Sequence, residues 1–234
     1  MNNRQQFAQG LRDGSPIAAG YFAVSFSFGI LAREGGLSVL QAALTSLTNV
    51  TSAGQFAGLQ VIMAGGTLAE LVLTQLIINL RYALMSLALS QKLDRSVSLW
   101  QRLVIAFANT DEIFAVAIHH NGTLRLPYLL GLQLLPVLGW TAGTAVGAVA
   151  GSILPAALTS ALGVALYGMF IAIVVPAARK ARPVLFTALL AVAVSCALYY
   201  FAPAVSAGVS IIVCTVLAAA AAAALFPVKE GEEL

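Results

Sequence analysis

Two adjacent carboxylates, Asp111 and Glu112, lie in the middle of the apolar stretch 103–118 and are the residues best suited to chemistry. In a bilayer each charge costs roughly 2.5–3.5 kcal/mol on insertion scales, so a chain keeps such a pair where a partner, a cavity or a proton offsets that cost. Thr110 precedes the pair and adds a hydroxyl. The stretch is therefore a candidate binding or proton-coupling site.

A single cation stands in another apolar segment, where Asn79-Leu80-Arg81-Tyr82 occurs. The Arg81 side chain has two possible roles. It either extends to the membrane surface along its aliphatic stem or pairs inside the bundle with Asp111 or Glu112. Adjacent residues on a helix point about 100° apart, so we expect the two carboxylates to have different roles. The sequence leaves open which one faces Arg81.

Polar residues are concentrated between Thr45 and Gln55, within a segment that is otherwise apolar. They form either a polar helix face that bonds to neighbouring helices, or a broken helix whose freed backbone groups face a substrate. The candidate substrate-binding residues here are Asn49, Thr51, Ser52 and Gln55, with Phe56 as a candidate apolar wall and Asn79 as a further hydrogen-bonding group.

The elements that must position these residues are membrane-spanning helices. The 234 residues are 60% hydrophobic and 9% charged, whereas soluble domains carry about 25% charged residues. The apolar runs are continuous and lack the alternation of barrel strands. We predict an all-α, polytopic integral membrane bundle of seven to eight segments, with segment two either whole or broken. The segments lie near 16–32, 39–64, 67–89, 99–119, 128–150, 157–178, 184–201 and 207–225.

One integral-membrane transport domain is expected over residues 1–234, with a polar N-terminal segment at 1–14 and a short tail at 227–234. The net charge is +3, and basic residues cluster in loops. This is the topology signal of a membrane protein and implies no nucleic-acid partner. Placing the basic loops 92–102 and 179–182 on one side requires one of the intervening segments to be broken or re-entrant. Orientation stays open.

Metal and cofactor sites are not expected. His119 and His120 are adjacent, and neighbouring positions on a helix cannot both face one ion. In segment five, glycine recurs every fourth residue and forms a smooth stripe for close helix packing. The stripe consists of Gly139, Gly143, Gly147 and Gly151.

Several short motifs follow one another in a fixed order along the chain. They are Gly10-x-x-Asp13-Gly14-x-Pro16-Ile17, Phe26-x-Phe28-Gly29, Gln55-Phe56-Ala57, Asn79-Leu80-Arg81-Tyr82, Thr110-Asp111-Glu112-x-Phe114-Ala115 and Met169-Phe170-Ile171. Together they resemble the AzlC family over nearly the whole chain. The family pattern has Ala-Gly-Ala before Gln-Phe-Ala, whereas this chain has Thr51-Ser52-Ala53-Gly54, which adds two hydroxyls and leaves the preferred amino acid open.

The resemblance implies a function. AzlC-type proteins are large subunits of branched-chain amino acid exporters in the bacterial inner membrane, and they act with a small AzlD-type subunit of about four helices. The expected activity is proton-coupled export of valine-like substrates, with the substrate carboxylate at a helix N-terminus in segment two. Asp111 or Glu112 would then bind the ammonium or the proton.

Two other classes of function remain open from the sequence. One is a passive channel, or a non-transporting subunit that supports a small membrane partner. The other is an intramembrane enzyme that uses the paired carboxylates for acid–base catalysis. The enzyme is the weakest alternative, because the sequence has no nucleophile–histidine set, no histidine-rich metal motif and no phosphate-binding loop. We therefore expect that the protein is not an enzyme.

Overall fold

The computed structural model describes residues 2–153, 171 and 174–227, and in this part of the chain the regular structure is helical. The all-α fold class is confirmed. The described helices are α1 (Asn3–Glu34), α2 (Val39–Thr48), α3 (Ser52–Met63), α4 (Leu68–Lys92), α5 (Leu99–Phe107), α6 (Asp111–His119), α7 (Leu126–Ile153), α8 (Arg182–Phe201) and α9 (Ala207–Leu225).

Five of the described helices are long and apolar enough to cross a membrane, namely α1, α4, α7, α8 and α9. Segments two and four are instead each built from two short helices, α2 with α3 and α5 with α6. The segment expected at 157–178 and the tail lie largely outside the described residues. The count of seven to eight spans therefore stays a prediction.

The break proposed for segment two is confirmed. Helix α2 ends at Thr48, α3 begins at Ser52, and Asn49 between them has φ −142° and ψ 79°, outside the helical region. A continuous segment four, in contrast, was the wrong expectation. Helix α5 ends at Phe107 and α6 begins at Asp111, with Thr110 extended at φ −77° and ψ 170°. Polar side chains that bond elsewhere favour such non-helical backbone.

Helix α1 begins at Asn3, so a start at Pro16 was also wrong. A capping box explains the early start, because Asn2 and Gln5 each bond the other's backbone N–H through the side chain. Pro16 lies inside the helix and cannot donate to the carbonyl of Arg12. The Ser15 hydroxyl donates to that carbonyl at 2.9 Å instead, which offsets part of the lost backbone bond.

The chain divides into two compact units, Met1–Gln55 with Asn79–Val164 and Phe56–Ile78 with Ala165–Leu234. Within the second unit, Glu70 joins the starts of α4 and α9. Its carboxylate accepts hydrogen bonds from the Ser206 hydroxyl at 2.5 Å and from the Gly208 N–H at 2.8 Å. A carboxylate at the positive end of a helix is favourable. Whether the whole chain acts as one transport domain stays a prediction.

Close packing of α1 against α7 builds the first unit. The glycine stripe of α7 faces the α1 backbone, where a Cβ on Gly147 would collide with the carbonyl of Phe26 and one on Gly139 would lie 2.6 Å from the carbonyl oxygen of Ala18. Gly29 of α1 makes an equally close approach to α7. The two backbones therefore touch along most of their length.

We expect Gly147→Ala to destabilise the protein by about 1–3 kcal/mol, because the added methyl group forces two backbones apart. Thermal unfolding of the purified protein in detergent measures this change. Gly20→Ala is the matched control, since a Cβ there meets nothing within 4 Å. Equal melting temperatures for both variants would contradict the proposed backbone contact.

Candidate functional site

A cavity of about 230 Å³ lies in the first unit where the two helix breaks meet. Helix α4 contributes two of its lining residues, and the two breaks together with the ends of α2 and α5 contribute the rest. The cavity is lined by Thr48, Asn49, Val50, Thr51, Asn79, Tyr82, Ala106, Phe107 and Asn109. Of the candidate residues from the sequence, the structure thus places Asn49, Thr51 and Asn79 in one cavity wall.

The two half-helices that start at the breaks differ in charge. Helix α6 carries Asp111 and Glu112 in its first turn, whereas the first turn of α3 contains no acidic residue. The N-terminus of a helix carries a partial positive charge. The α6 end is therefore neutralised by its own carboxylates, and the α3 end keeps its positive potential.

Arg81 pairs with Asp111, which answers the question that the sequence left open. The Arg81 Nη1 and Asp111 Oδ2 atoms are 2.5 Å apart. The two side chains are 47% and 44% exposed, respectively. The guanidinium also lies 5.0 Å from the centre of the Tyr82 ring, in cation–π geometry. The ion pair joins the middle of α4 to the start of α6, beside the cavity.

Glu112 has a different partner, the phenol of Tyr21 on α1. The Tyr21 hydroxyl lies 2.5 Å from Glu112 Oε2 and 2.5 Å from Thr110 Oγ1. Because the phenol has one proton, it donates to one of the two oxygens at a time. Thr110 stands at the N-cap position of α6 but makes no capping bond. The hydroxyl that would cap α6 is instead bonded to α1.

Gln55 fixes the other break. Its Oε1 accepts from the indole N–H of Trp140 at 2.6 Å, and its Nε2 donates to Ser46 Oγ at 2.8 Å. Ser46 in turn lies 2.6 Å from Thr144 Oγ1. All four side chains are buried. Since Ser46 lies before the break and Gln55 after it, this network holds the end of α2 and the first turn of α3 against α7.

Three further candidate residues have less direct roles. The Thr51 hydroxyl donates to Asn79 Oδ1 at 2.8 Å, which joins the first break to α4. Ser52 is the first residue of α3. Phe56 is buried and belongs to the second unit, so it is not one of the cavity-lining residues described above.

Asn109 was missed by the sequence analysis. It is 4% exposed and lines the cavity. Its Nδ2 donates to Ser86 Oγ at 3.1 Å, while its buried Oδ1 has no hydrogen-bond partner among the described residues. An unpaired buried acceptor costs free energy, so it marks a place where a ligand can donate. The signal in the sequence was an asparagine directly before Thr110, which parallels Asn49 before the first half-helix.

Within the described part of the chain, no group of three His, Cys, Asp or Glu side chains is placed to hold a metal ion. The cavity-lining side chains are amides, hydroxyls and apolar groups. Such groups bind a small polar molecule through hydrogen bonds rather than through metal coordination.

These features define a polytopic membrane protein with two discontinuous helices around a polar cavity. Residues 16–154 match the family described as AzlC protein. The chain belongs to the AzlC family, whose membrane proteins are generally linked to transport.

Its relatives are membrane proteins. The chain is 34% identical to an uncharacterized membrane protein of Archaeoglobus fulgidus over 178 residues, which cover 75% of this chain and 78% of that protein. It is 28% identical to the inner membrane protein YgaZ of Escherichia coli over 191 residues, or 79% and 78% of the two chains. An uncharacterized membrane protein of Helicobacter pylori is 26% identical, with coverage of 63% and 67%. No solved structure matches the chain.

We expect Gln55→Leu to destabilise the protein by about 1–3 kcal/mol, because the buried indole N–H and the Ser46 hydroxyl lose their partners. Thermal unfolding measures the loss. In a Trp100→Phe background, the fluorescence of Trp140 should also shift to shorter wavelength. The control is Gln60→Leu on the same helix, where the side chain is exposed. Matching stabilities for the two leucine variants would show that the network does not hold the break.

Proposed function

We propose that this protein is a secondary transporter subunit that exports branched-chain amino acids of the valine type across the bacterial inner membrane. In this proposal it acts with a small AzlD-type subunit of about four helices and is coupled to protons. The observation that supports it best is the meeting of two helix breaks at one polar cavity. Discontinuous helices near the membrane midplane are the usual binding sites of secondary transporters.

The chemistry of the cavity suits a zwitterion. The substrate ammonium would donate to Asn109 Oδ1, the buried acceptor without a partner, on the side of α6 where Asp111 adds negative charge. The carboxylate would lie at the start of α3, where Ser52 offers a hydroxyl and the first turn contains no acidic residue. Val50 and Phe107 supply the apolar wall for a branched side chain.

Proton coupling would act through the contacts of α6. Protonation of Asp111 removes its charge and with it the attraction to Arg81, so α6 would be released from α4. Glu112 is bonded to Tyr21, a neutral donor, so its protonation changes a hydrogen bond rather than an ion pair. In this proposal the protonation state of Asp111 decides whether α6 is bound to α4, and Glu112 bonds α6 to α1.

We expect Asp111→Asn, Glu112→Gln and Arg81→Gln each to abolish or strongly reduce pH-driven export. The expected loss of export rate is at least about tenfold, which corresponds to the free energy of one charge-assisted hydrogen bond. The measurement is uptake of labelled valine into inverted membrane vesicles that contain both subunits, with an imposed pH gradient. Expression and folding of each variant are checked first.

Two results would decide against parts of the proposal. Wild-type, pH-dependent transport in all three variants would remove the coupling role of these residues. Valine movement only down its gradient, unaffected by an uncoupler, would favour a passive channel. A large subunit that binds its partner but moves no amino acid would favour the supporting-subunit alternative.

We expect Asn109→Leu to raise the KM for valine by about tenfold, since it removes the acceptor for the ammonium. Export is measured over a range of valine concentrations. Ser86→Ala is the matched control, because it removes only the partner of Asn109 Nδ2 and leaves Oδ1 in place. A KM for Asn109→Leu equal to that of Ser86→Ala would exclude Asn109 Oδ1 as the ammonium acceptor.

A further inference from the structure

A second cavity of the first unit, about 260 Å³ in volume, lies where the first turns of α1 meet the loop between α6 and α7. It shares no lining residue with the cavity at the helix breaks. It is lined by Gln6, Gln9, His120, Asn121, Thr123, Arg125 and Tyr128. Arg125 is the only residue of fixed charge in this set, and the others are mostly amides and hydroxyls.

Two buried polar atoms on lining residues, Gln6 Oε1 and His120 Nδ1, have no hydrogen-bond partner in the part of the chain that the structure describes. The side-chain amide of Gln6 can turn over and place its NH₂ group where the oxygen lies, and an imidazole can carry its proton on Nδ1. Both positions can therefore donate a hydrogen bond. Unpaired buried polar groups are costly unless a ligand satisfies them.

The guanidinium of Arg125 is available for a ligand. Its side chain is 54% exposed, and its Nε lies 3.6 Å from Asp94 Oδ2, which is too long for a hydrogen bond. Asp94 is itself bonded through Oδ1 to the N–H and the hydroxyl of Ser96 at 2.9 and 2.7 Å. These Ser96 bonds, and to a smaller extent Arg125, hold the pKa of Asp94 below its usual range. Asp94 therefore stays ionised, and it takes no short hydrogen bond from Arg125.

The walls of the cavity are held in place by backbone contacts. Gly10 of α1 lies against the carbonyl of Tyr128, and the Tyr128 hydroxyl donates to Asp13 Oδ2 at 3.0 Å. The loop is fixed to the end of α4, since the Leu124 N–H donates to the Lys92 carbonyl at 2.9 Å. The His120 ring also packs on Tyr128, with centroids 4.3 Å apart. The donors thus surround a preformed space.

We propose that this cavity binds a phosphate group, the chemistry shared by a phospholipid headgroup and by inorganic phosphate. An arginine fork with amide, hydroxyl and imidazole donors is suited to phosphate oxygens. Two carboxylates of the described residues, Asp94 and Asp13, are each engaged by a partner. The cavity lies at helix ends, and basic pockets at that level of a membrane protein receive lipid headgroups.

The test uses the purified protein in neutral detergent and native mass spectrometry. The probes are phosphatidylglycerol and a diacylglycerol with the same acyl chains and no phosphate. We expect selective binding of phosphatidylglycerol, weakened about tenfold in Arg125→Gln, the scale of a lost charge-assisted bond. Arg95→Gln is the matched control, because Arg95 is an exposed cation of a nearby loop that does not line the cavity.

Two more variants separate binding from folding. Asp94→Asn removes the competing carboxylate and should leave binding unchanged or tighter, although it breaks the same ion pair as Arg125→Gln. Gln6→Leu removes a donor without changing charge and should weaken binding. If Arg125→Gln does not fold, phosphatidylglycerol binding to Asp94→Asn and Gln6→Leu still tests the proposed phosphate site.

Competition identifies the source of the phosphate. Displacement of the lipid by millimolar inorganic phosphate would show that the phosphate group alone is recognised. Lipid binding that depends on Arg125 and resists inorganic phosphate would identify a phospholipid as the ligand. Equal binding of the two lipids would overturn the proposal. Equal losses in Arg125→Gln and Arg95→Gln, which indicate surface charge alone, would also overturn it.

Discussion

Backbone N–H and C=O groups inside a membrane must find partners, and this requirement governs the site more than any single contact. Each of the two helix breaks frees such groups and exposes side chains that would otherwise face a neighbouring turn. The protein places both breaks against one cavity, so the freed groups face a polar space rather than lipid. A molecule with hydrogen-bonding groups at both ends can then bond to the backbone groups that the two breaks free.

The two breaks are stabilised by different kinds of contact. Ser46, Gln55, Thr144 and Trp140 are neutral and buried, and they fix the first break to α7. Helix α7 is itself in backbone contact with α1 through the glycine stripe. Packed interiors of this kind resist small displacements. The first break is therefore a rigid part of the site.

The second break depends on ionisable groups. Arg81 with Asp111, and Tyr21 with Glu112, attach the start of α6 to α4 and α1. At the other end of α6, Lys92 donates to the carbonyl of Ile118. Contacts of this type respond to protonation, unlike the neutral contacts of the first break. The first break is thus held by neutral groups and the second by ionisable ones.

The sequence predicted the parts of the site that are rare in apolar segments. Ionisable side chains inside a membrane are costly and usually functional, so the sequence indicated Asp111, Glu112 and Arg81. The polar run around Asn49 likewise indicated a break. The break at Thr110 was missed, because only two polar residues precede the acidic pair. Tyr21 and Trp140 were not proposed as site residues, because each is ordinary in its own segment and the Thr110 partner of Tyr21 lies 89 positions away.

The network around Gln55 has a fixed direction. An indole N–H can only donate, so the amide oxygen must face Trp140 and the amide nitrogen must face Ser46. Ser46 then accepts from Gln55, and either hydroxyl can donate in the bond between Ser46 and Thr144. A chain of bonds with an indole at one end and an amide in its middle cannot reverse, and so it cannot relay protons. The bonds from Trp140 through Gln55 to Ser46 therefore keep their donors and acceptors fixed beside the first break, unlike the ionisable contacts of α6.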